Sequence, residues 1–354
     1  MSLEVFSLGT SGMMPLPGRF LTSVLLRRKG ELFLFDCGEG TQVSLKMLNL
    51  SWKKISAIFI SHMHADHVTG LPGLLMLSSQ VDREDPLYIY GPQRLGEYIE
   101  ASRRILDMYI NYEIKFIPVE PGEIYRGEDF SINCFPLDHT KPCVGYSLVE
   151  DYRKGEFYPD KAMALGVPKG PMFGRLQRGE SIVLDNGNVI TPDMVMGEKR
   201  SGRKFSYVTD TLYFPEIADY VHDSDILFCE GMFEDELRES AWEKKHMTAL
   251  EAAMVARDSR SEMLCLQHYS PRYSDRELKI LLNEAKSIFP NTILTKDRMT
   301  FEIPLKDYKK WPQISPRPLF KDIISYFESS LITESALWRA VTTTDFPSSS
   351  LTLA

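Results

Sequence analysis

The chain has 354 residues, of which 43% are hydrophobic and 25% charged, a composition typical of globular proteins that do not enter membranes. The longest apolar runs fall far short of the roughly 18 residues needed to span a bilayer, so we expect no membrane helix. A formal net charge of -8 argues against a general nucleic-acid binder, although it leaves room for local basic patches.

The first residues and the cysteines favour a cytoplasmic protein. MSLEVFSLGTSG has no basic start followed by a long apolar stretch, so it predicts a first strand rather than a signal peptide. The 5 cysteines are an odd number, show no CxxC spacing and sit in or beside apolar segments. We therefore expect buried, reduced thiols and neither a disulfide framework nor a cysteine zinc site.

The first 150 residues predict a short meander followed by alternating strands and helices. The strand at 55–60 leads into a histidine-rich loop and then into an apolar helix, so the loop lies where α/β folds build their sites. The other predicted strands are 4–8, 23–27, 32–35, 87–90, 112–118, 130–136 and 145–148, and the other helices are 41–48 and 95–109.

The pattern breaks at about Asp151. From there to about Gly197 the sequence is rich in Gly, Pro and Met and poor in strand signals, which predicts an inserted arm without a core of its own. Regular structure then resumes with strands at 204–208, 226–229 and 263–266, helices at 215–221, 248–259 and 275–287, and a last pair of strands ending at Ile303.

The sequence changes character again after about Lys309. Apolar residues with helical spacing, Leu319, Ile323, Phe327 and Leu331, predict an appended helix before a Ser/Thr-rich end. The predicted organisation is a catalytic domain at 1–305, the arm at 151–197 within it, and a C-terminal extension at 306–354.

The segment SHMHADHVTG, residues 61–70, concentrates metal-binding side chains. His62 and His64 alternate in an extended loop and can point to one side, while Asp66 and His67 stand just before a helix and can face a second position. Imidazole and carboxylate donors without cysteine suit Zn²⁺, Mn²⁺ or Fe²⁺. The spacing therefore predicts two adjacent metal ions.

Other candidate side chains lie at strand ends or at a helix start. His139, Asp210 and His268 each follow a predicted strand, and His246 precedes a predicted helix. His222 fits an ordinary surface residue. Because strand ends converge on one edge of an α/β sandwich, we expect the first four to join the histidine-rich loop in one site.

These segments in their order resemble the metallo-β-lactamase fold. As a set, FDCGEGTQ, SHMHADHVTGLPGLL, GPMFGRLQRGE and HYSPRY resemble ribonuclease Z, the tRNA 3′ processing endonuclease family, over about residues 3–305. The resemblance implies an α/β, αββα sandwich with an inserted flexible arm and a C-terminal helical extension. It further implies two Zn²⁺ per chain, one held by His62, His64 and His139, the other by Asp66, His67 and His268, with Asp210 bridging and Asp36 behind the ligands.

The implied chemistry is hydrolysis of a phosphodiester. Two metals roughly 3.5–4 Å apart can share a hydroxide and clamp the attacking and leaving oxygens. Asp66 would orient that nucleophile or act as its general base. His246, with Glu230 on its other nitrogen, would donate to a phosphate oxygen or protonate the leaving 3′ oxygen, as a Glu-His pair does in the family.

The sequence thus predicts a zinc-dependent endoribonuclease that removes the 3′ trailer from tRNA precursors by metal-hydroxide attack and leaves a 3′-hydroxyl. The alternative is a zinc phosphodiesterase of small substrates on the same fold. A third reading, an RNA-binding scaffold with a decayed site, conflicts with the intact ligand set.

Basic residues indicate where RNA would bind. The arm resembles the family's tRNA-clamping segment, which grips the substrate cut by the other subunit, so the resemblance implies a homodimer. A second group, at 199–204, fits a solvated face nearly as well as an RNA contact. The arm candidates are Lys161, Lys169, Arg175 and Arg178, and the second group is Lys199, Arg200, Arg203 and Lys204.

Two segments depart from the family pattern. The first loop usually carries PxKxRN, but residues 14–23 read MPLPGRFLTS, which leaves the cleavage position relative to CCA open. The family's HST is replaced by HMT, so Met247 stands where a phosphate-contacting hydroxyl is expected. Ser270 and Arg272 in HYSPRY match candidates for contacting the RNA end.

Overall fold

The structure, a computed structural model, describes residues 2–81 and 83–305 and the main chain of 314–315. The chain divides into a unit Met1–Ile314 and a unit Ser315–Ala354, and only the first is described below. The predicted helix through Leu319 and Leu331 lies outside the described residues. Within 2–81 and 83–305, no helix is both long and apolar enough to cross a membrane.

The first of two large sheets has eight strands, numbered here along the chain, in the order β17-β16-β1-β2-β3-β4-β5-β6. Strands β3 to β6 run parallel, so their carboxyl ends lie at one edge. The strands are β1 (Leu3–Gly9), β2 (Ser23–Arg28), β3 (Glu31–Phe35), β4 (Ile55–Phe59), β5 (Leu87–Gly91), β6 (Ile114–Pro118), β16 (Thr300–Glu302) and β17 (Ile314–Ser315).

The second sheet has seven strands in the order β15-β14-β13-β12-β9-β8-β7. Strands β12 to β15 are parallel, and β8 runs in the same direction because two antiparallel pairings separate it from β12. The strands are β7 (Gly122–Arg126), β8 (Phe130–Leu137), β9 (Cys143–Glu150), β12 (Lys204–Val208), β13 (Ile226–Glu230), β14 (Leu264–Gln267) and β15 (Thr292–Leu294).

An aromatic core joins the two sheets. Phe35 stacks on Phe59 of the same sheet with ring centroids 5.2 Å apart, and meets Phe205 of the second sheet at 5.3 Å. All three side chains are fully buried. Burying a side chain of this kind contributes about 1.5–3 kcal/mol, so this layer fixes how the strand ends of the two sheets face each other.

Helices cover the outer face of each sheet, which confirms the predicted αββα sandwich. Leu45, Leu71 and Leu95 pack helices against the first sheet, and Ala252 and Leu281 pack helices against the second. The first layer is α1 (Thr41–Met47), α3 (Leu71–Gln80) and α4 (Arg94–Ile105), and the second is α8 (Ile217–Tyr220), α10 (Ala249–Asp258) and α11 (Leu278–Ile288). The five cysteines are buried and free, as predicted.

Some element predictions were wrong. The sequence analysis did not predict β7, the short helix α2 (Ala65–Val68) or α9 (Arg238–Lys244). The helix predicted at 95–109 ends at Ile105, because the chain turns at Asp107 with a positive φ of 47°. These elements are short or polar, so hydrophobic periodicity does not mark them.

The arm has a core of its own, contrary to the prediction. Leu176, Ile190 and Val195 are among its buried residues and pack with Ala162 and Val167. A proline in the first turn starts each arm helix, where the missing N–H costs nothing. The arm elements are α5 (Pro159–Ala164), α6 (Pro171–Arg178), β10 (Ile182–Val183), β11 (Val189–Ile190) and α7 (Pro192–Val195).

Candidate metal centre

The predicted site residues meet where the two sheets present their carboxyl ends. Six of the 7 histidines lie there, and His222 is on the surface beside Asp223, as expected. Each segment comes from a different strand end: Asp36 after β3, residues 62–67 after β4, His139 after β8, Asp210 after β12, Glu230 at the end of β13 and His268 after β14.

Three ring nitrogens converge in the first group. His64 Nδ1 lies 3.0 Å from His62 Nε2 and 3.1 Å from His139 Nε2. The far nitrogens have other partners: His139 Nδ1–H donates to the carbonyl of Lys245 at 2.8 Å, and His62 Nδ1 lies 3.0 Å from Ser61 Oγ. These contacts keep the protons of His62 and His139 on the far side, so the Nε2 lone pairs of both rings face His64 Nδ1.

The second group has the same construction. His67 Nδ1–H donates to Asp36 Oδ2 at 2.7 Å, and His268 Nδ1 lies 2.7 Å from the hydroxyl of Thr22. The Nε2 atoms of both rings are buried and have no hydrogen-bond partner. Asp66 Oδ2 lies 3.7 Å from His67 Nε2 and 4.0 Å from His268 Nε2.

Asp210 stands between the two groups with one oxygen toward each. Its Oδ1 is 3.3 Å from His67 Nε2 and 3.1 Å from His268 Nε2. Its Oδ2 is 3.7 Å from both His62 Nε2 and His139 Nε2. A carboxylate in this position can serve two cations at once.

The buried charges shift the pKa values in opposite directions. Burial lowers the pKa of His62 well below its usual value and that of His139 to about 4. Burial also opposes the charged form of His67, but Asp210, Asp36 and Asp66 outweigh it and raise the pKa of this ring well above the usual value. His62 and His139 thus offer acceptor nitrogens at neutral pH, while the carboxylates around His67 favour a positive charge at that position.

Nitrogen and oxygen donors arranged in this way fit divalent metal ions. Buried imidazole lone pairs without a donor are costly unless a cation accepts them. The described ligand atoms include no sulfur, which suits Zn²⁺, Mn²⁺ or Fe²⁺ in a hydrolytic rather than a structural site.

Asp36 is the buried anchor of the loop after β4. It accepts hydrogen bonds from the Ser61 N–H at 2.7 Å, from the Ser61 hydroxyl at 2.8 Å and from the Tyr207 hydroxyl at 2.6 Å. The sequence predicted Asp36 behind the ligands but missed Ser61, Tyr207 and Thr22. No pattern marks them, because they act through contacts between distant strands.

Glu230 and His246 form the predicted pair. His246 Nδ1 lies 2.9 Å from Glu230 Oε2, and the other carboxylate oxygen accepts the Thr211 N–H at 2.6 Å. Burial opposes the charge on His246, but Glu230 outweighs it and raises the pKa of the ring to about 9. His246 Nδ1 is 4.0 Å from Asp210 Oδ2, so the pair borders the metal centre.

The sequence is similar to that of a known protein over the whole length of that relative. The chain is 60% identical over 308 residues to "Ribonuclease Z" of Treponema denticola, covering 87% of this chain and 100% of the relative. The chain belongs to the ribonuclease Z family. A family model described as "Anti-Pycsar protein Apyc1" also matches, over residues 3–154, which is less than half of the chain.

Solved structures agree with this assignment. The fold is similar to the crystal structure of human tRNase Z, short form, with a TM-score of 0.61 and 25% identity over 85% of this chain and 99% of that chain. It is similar, too, to the metallo-beta-lactamase fold protein YhfI from Bacillus subtilis, with a TM-score of 0.61 and 19% identity over 86% of this chain and 100% of that chain. The fold predicted from the sequence is therefore confirmed.

The first loop of this ribonuclease Z family member contacts two side chains of the second ligand group. The Met13 N–H donates to Asp66 Oδ2 at 2.6 Å, with Met13 at a positive φ of 64°. Gly12 lies so close to His268 that a Cβ would come within 2.7 Å of the ring Nε2. Although residues 14–23 depart from the family pattern, the segment before them still supports the site.

Two basic groups have different environments. The arm residues Lys161, Lys169, Arg175 and Arg178 are all exposed. The second group does not form a basic surface: Arg203 is buried and donates two hydrogen bonds to Glu150 at 2.8 Å, while Lys204 donates to the carbonyls of Tyr220 and His222. The prediction that residues 199–204 could contact RNA was therefore wrong for Arg203, which stabilises the fold.

The remaining predicted contacts lie beside the pair. The Arg272 guanidinium lies 5.0 Å above the Phe233 ring, which is 6.1 Å from the His246 ring. Ser270 is only 3% exposed, and its hydroxyl accepts the Arg272 N–H at 3.5 Å. Met247 is fully buried in the apolar layer beneath α10, so its side chain packs rather than reaching the cleft.

Proposed function

We propose that the chain is a metal-dependent endoribonuclease that removes the 3′ trailer from tRNA precursors and leaves a 3′-hydroxyl. Membership of the ribonuclease Z family supplies the substrate class. The observation that carries the chemistry is Asp210, whose two oxygens face two separate groups of buried histidines. A site for two adjacent cations suits phosphodiester hydrolysis, in which both the attacking and leaving oxygens need charge stabilisation.

We assign two Zn²⁺ per chain, with Mn²⁺ or Fe²⁺ as the alternatives. His62, His64 and His139 would hold one ion, and the second would be held by Asp66, His67 and His268, with Asp210 shared. When bound, the ions would supply an activated water and neutralise the phosphate oxygens. Metal analysis by mass spectrometry of the purified protein tests this: about two ions per chain are expected, and about one or fewer would contradict the assignment.

Asp66 is the residue we assign to orienting the nucleophile. One of its oxygens is fixed by the Met13 N–H at 2.6 Å, and the surrounding histidines outweigh the effect of burial and lower the pKa of the carboxyl. The carboxylate therefore stays charged and can accept a proton from a water that approaches the phosphorus.

The Glu230–His246 pair is assigned to the opposite side of the reaction. Glu230 accepts a hydrogen bond from the His246 Nδ1–H, which leaves Nε2 as the functional nitrogen. Because the ring pKa is raised to about 9, His246 carries a proton at neutral pH. It can stabilise a phosphate oxygen or protonate the leaving 3′ oxygen.

The arm is assigned to holding the body of the tRNA. Arg175 and Arg178 share Glu180 at 3.0 and 3.1 Å, so the acid holds both guanidinium groups on one surface of the arm. Lys161 lies 4.4 Å from the Tyr158 ring on the preceding segment. With Lys169, these groups offer cations to a phosphate backbone at a distance from the cleft.

We assign Arg272 to contact the RNA end. Its guanidinium lies over the Phe233 ring, and that ring is next to the ring of His246. The contact predicted for buried Ser270 stays a prediction. The homodimer and the cytoplasmic location also stay predictions. Light scattering coupled to size-exclusion chromatography tests the dimer, and a monomer mass at micromolar concentration would contradict it.

Replacement of the arm tests the division between cleft and arm. Arg153 and Arg200 exchange backbone hydrogen bonds of 2.8 and 2.9 Å at the arm's base, so residues 156–196 can be replaced by a short Gly/Ser linker below that pairing. We expect hydrolysis of bis(p-nitrophenyl) phosphate to survive and precursor tRNA cleavage to collapse. Equal loss of both activities would overturn the arm assignment.

A further inference from the structure

A cavity beside His246 is not used by the chemistry assigned so far. It has a volume of about 410 Å³ and is lined by Leu212, Arg238, Glu239, Trp242, His246 and Glu251. Leu212 comes from the loop that carries Asp210, and Glu251 comes from the first turn of α10. The cavity therefore adjoins the metal centre, with His246 as the shared wall.

The α9 helix presents an aromatic ring and a cation to this cavity. Arg238 and Trp242 are four residues apart on α9, so they share a face. Trp242 is 64% exposed, which is unusual for the largest apolar side chain. The Arg238 side chain is 52% exposed, and its guanidinium has five N–H donors, of which Asp235 accepts two.

The position of α9 is tied to the catalytic residues. The His246 N–H donates to the carbonyl of Ala241, next to Trp242, at 2.9 Å. Lys245 ends the helix in a left-handed conformation, and its carbonyl holds the His139 ring. The backbone that carries Trp242 is thus tied to two residues of the site, His139 and His246.

The chemistry of the cavity selects its occupant. A bare phosphate is disfavoured, because the carboxylates of Glu239 and Glu251 line the same cavity as the Arg238 guanidinium and the His246 ring. A nucleobase fits all the groups: its face stacks on an indole, its amino groups donate to carboxylates, and its attached phosphate meets an arginine. Unpaired bases are the part of an RNA that stacks in this way.

We propose that Trp242 and the cavity form a subsite for one unpaired nucleobase next to the cleaved phosphodiester. The base stacks on the indole, and Arg238 contacts a neighbouring phosphate. This inference rests on the proposed function, since it takes the RNA at His246 as given. The subsite positions the strand end, whereas the arm holds the body of the tRNA.

Cleavage of intact and abasic precursors by Trp242→Ala and Trp242→Phe tests the subsite. On intact precursor tRNA, Trp242→Ala lowers kcat/KM by roughly 5- to 100-fold, the value of one base-aromatic stack, and Trp242→Phe retains most of the activity. When the nucleotide on one side of the cleaved bond is abasic, wild type and Trp242→Ala have the same kcat/KM, because no base remains to stack on the indole. Tyr109→Ala, which removes an aromatic ring that is 82% exposed in the loop after α4, leaves all rates unchanged.

A binding measurement separates this subsite from the proposed function. A short single-stranded oligonucleotide spanning the cleavage site quenches tryptophan emission in the wild type more than in Trp242→Phe, which retains Trp52, Trp311 and Trp338. The subsite is overturned if Trp242→Ala has full activity, or if it loses the same activity on intact RNA and on RNAs with an abasic nucleotide on either side of the cleaved bond. It is overturned as well if the oligonucleotide quenches the wild type and Trp242→Phe equally. A wild type that leaves trailers uncut overturns the proposed function instead, and the quenching difference then still decides the subsite.

Discussion

The metal centre and the arm hold their functional side chains in opposite ways. In the metal centre each imidazole has one nitrogen fixed by a partner in the protein, as His67 is by Asp36 and His139 by the Lys245 carbonyl. In the arm, Arg175 and Arg178 rest on one exposed acid, Glu180. Catalysis depends on placing the reacting groups to within a few tenths of an ångström, so the side chains of the metal centre need fixed partners.

The difference in burial has a consequence for substrate binding. Exposed ion pairs are worth about 0–1 kcal/mol and are screened by salt, so the arm can exchange Glu180 for a phosphate at little cost. The buried site cannot relax in this way, because removing one partner leaves an uncompensated charge. Damage to the centre should therefore abolish all activity, and damage to the arm should affect only large substrates.

Asp210→Asn should have the largest effect, because it removes the charge that faces both ligand groups. We expect hydrolysis of precursor tRNA and of bis(p-nitrophenyl) phosphate to fall on the order of 10³-fold or more, with loss of bound metal measured by mass spectrometry. Asp223→Asn, which changes an exposed carboxylate, should keep both. Full metal content together with full activity in Asp210→Asn would contradict the bridging assignment.

Glu230→Gln should break the pair without emptying the metal centre. The amide no longer stabilises a charged His246, so kcat should fall about 10²-fold while the metal content stays that of the wild type. Steady-state kinetics and metal analysis on the same preparation check this. Loss of metal in parallel with kcat would show that Glu230 acts structurally.

Asp36→Asn should act on metal affinity rather than on the reaction itself. The amide cannot accept the three hydrogen bonds of Ser61 and Tyr207 and also hold the His67 ring, so affinity should fall about 10- to 100-fold. Chelator competition measures the change, and excess Zn²⁺ should restore activity. If added metal fails to restore it, Asp36 does more than orient the ligand.

Lys161→Ala combined with Lys169→Ala should have the smallest effect. Removing one lysine that contacts a phosphate reduces the slope of log affinity against log salt by about 1. The slope of the double variant should therefore be smaller by about 2. Binding of catalytically inactive enzyme to tRNA across a salt series measures the slope. Lys53→Ala with Lys54→Ala, exposed on the 3-10 turn before β4, is the matched control and should leave the slope unchanged.

The strand pattern predicted that the ligand residues meet, because they follow apolar strands whose carboxyl ends lie at one edge, and the resemblance to the family divided them into two groups. His62, His139 and Asp210 needed only the strand pattern to be brought together. Ser61, Tyr207 and Thr22 were missed because they act through pairings between strands far apart in the chain. The arm core was missed for a related reason: α5 and α6 have 6 and 8 residues, too few for a periodic signal.

Mapping the 3′ ends of a precursor tRNA after incubation with the wild type and with Asp66→Ala tests the central claim most directly. We expect the wild type, with its metals bound, to remove the trailer and leave a 3′-hydroxyl on the tRNA, and Asp66→Ala to leave the precursor intact. A wild type that leaves the trailer attached, or an Asp66→Ala variant that cuts equally well, would contradict the account.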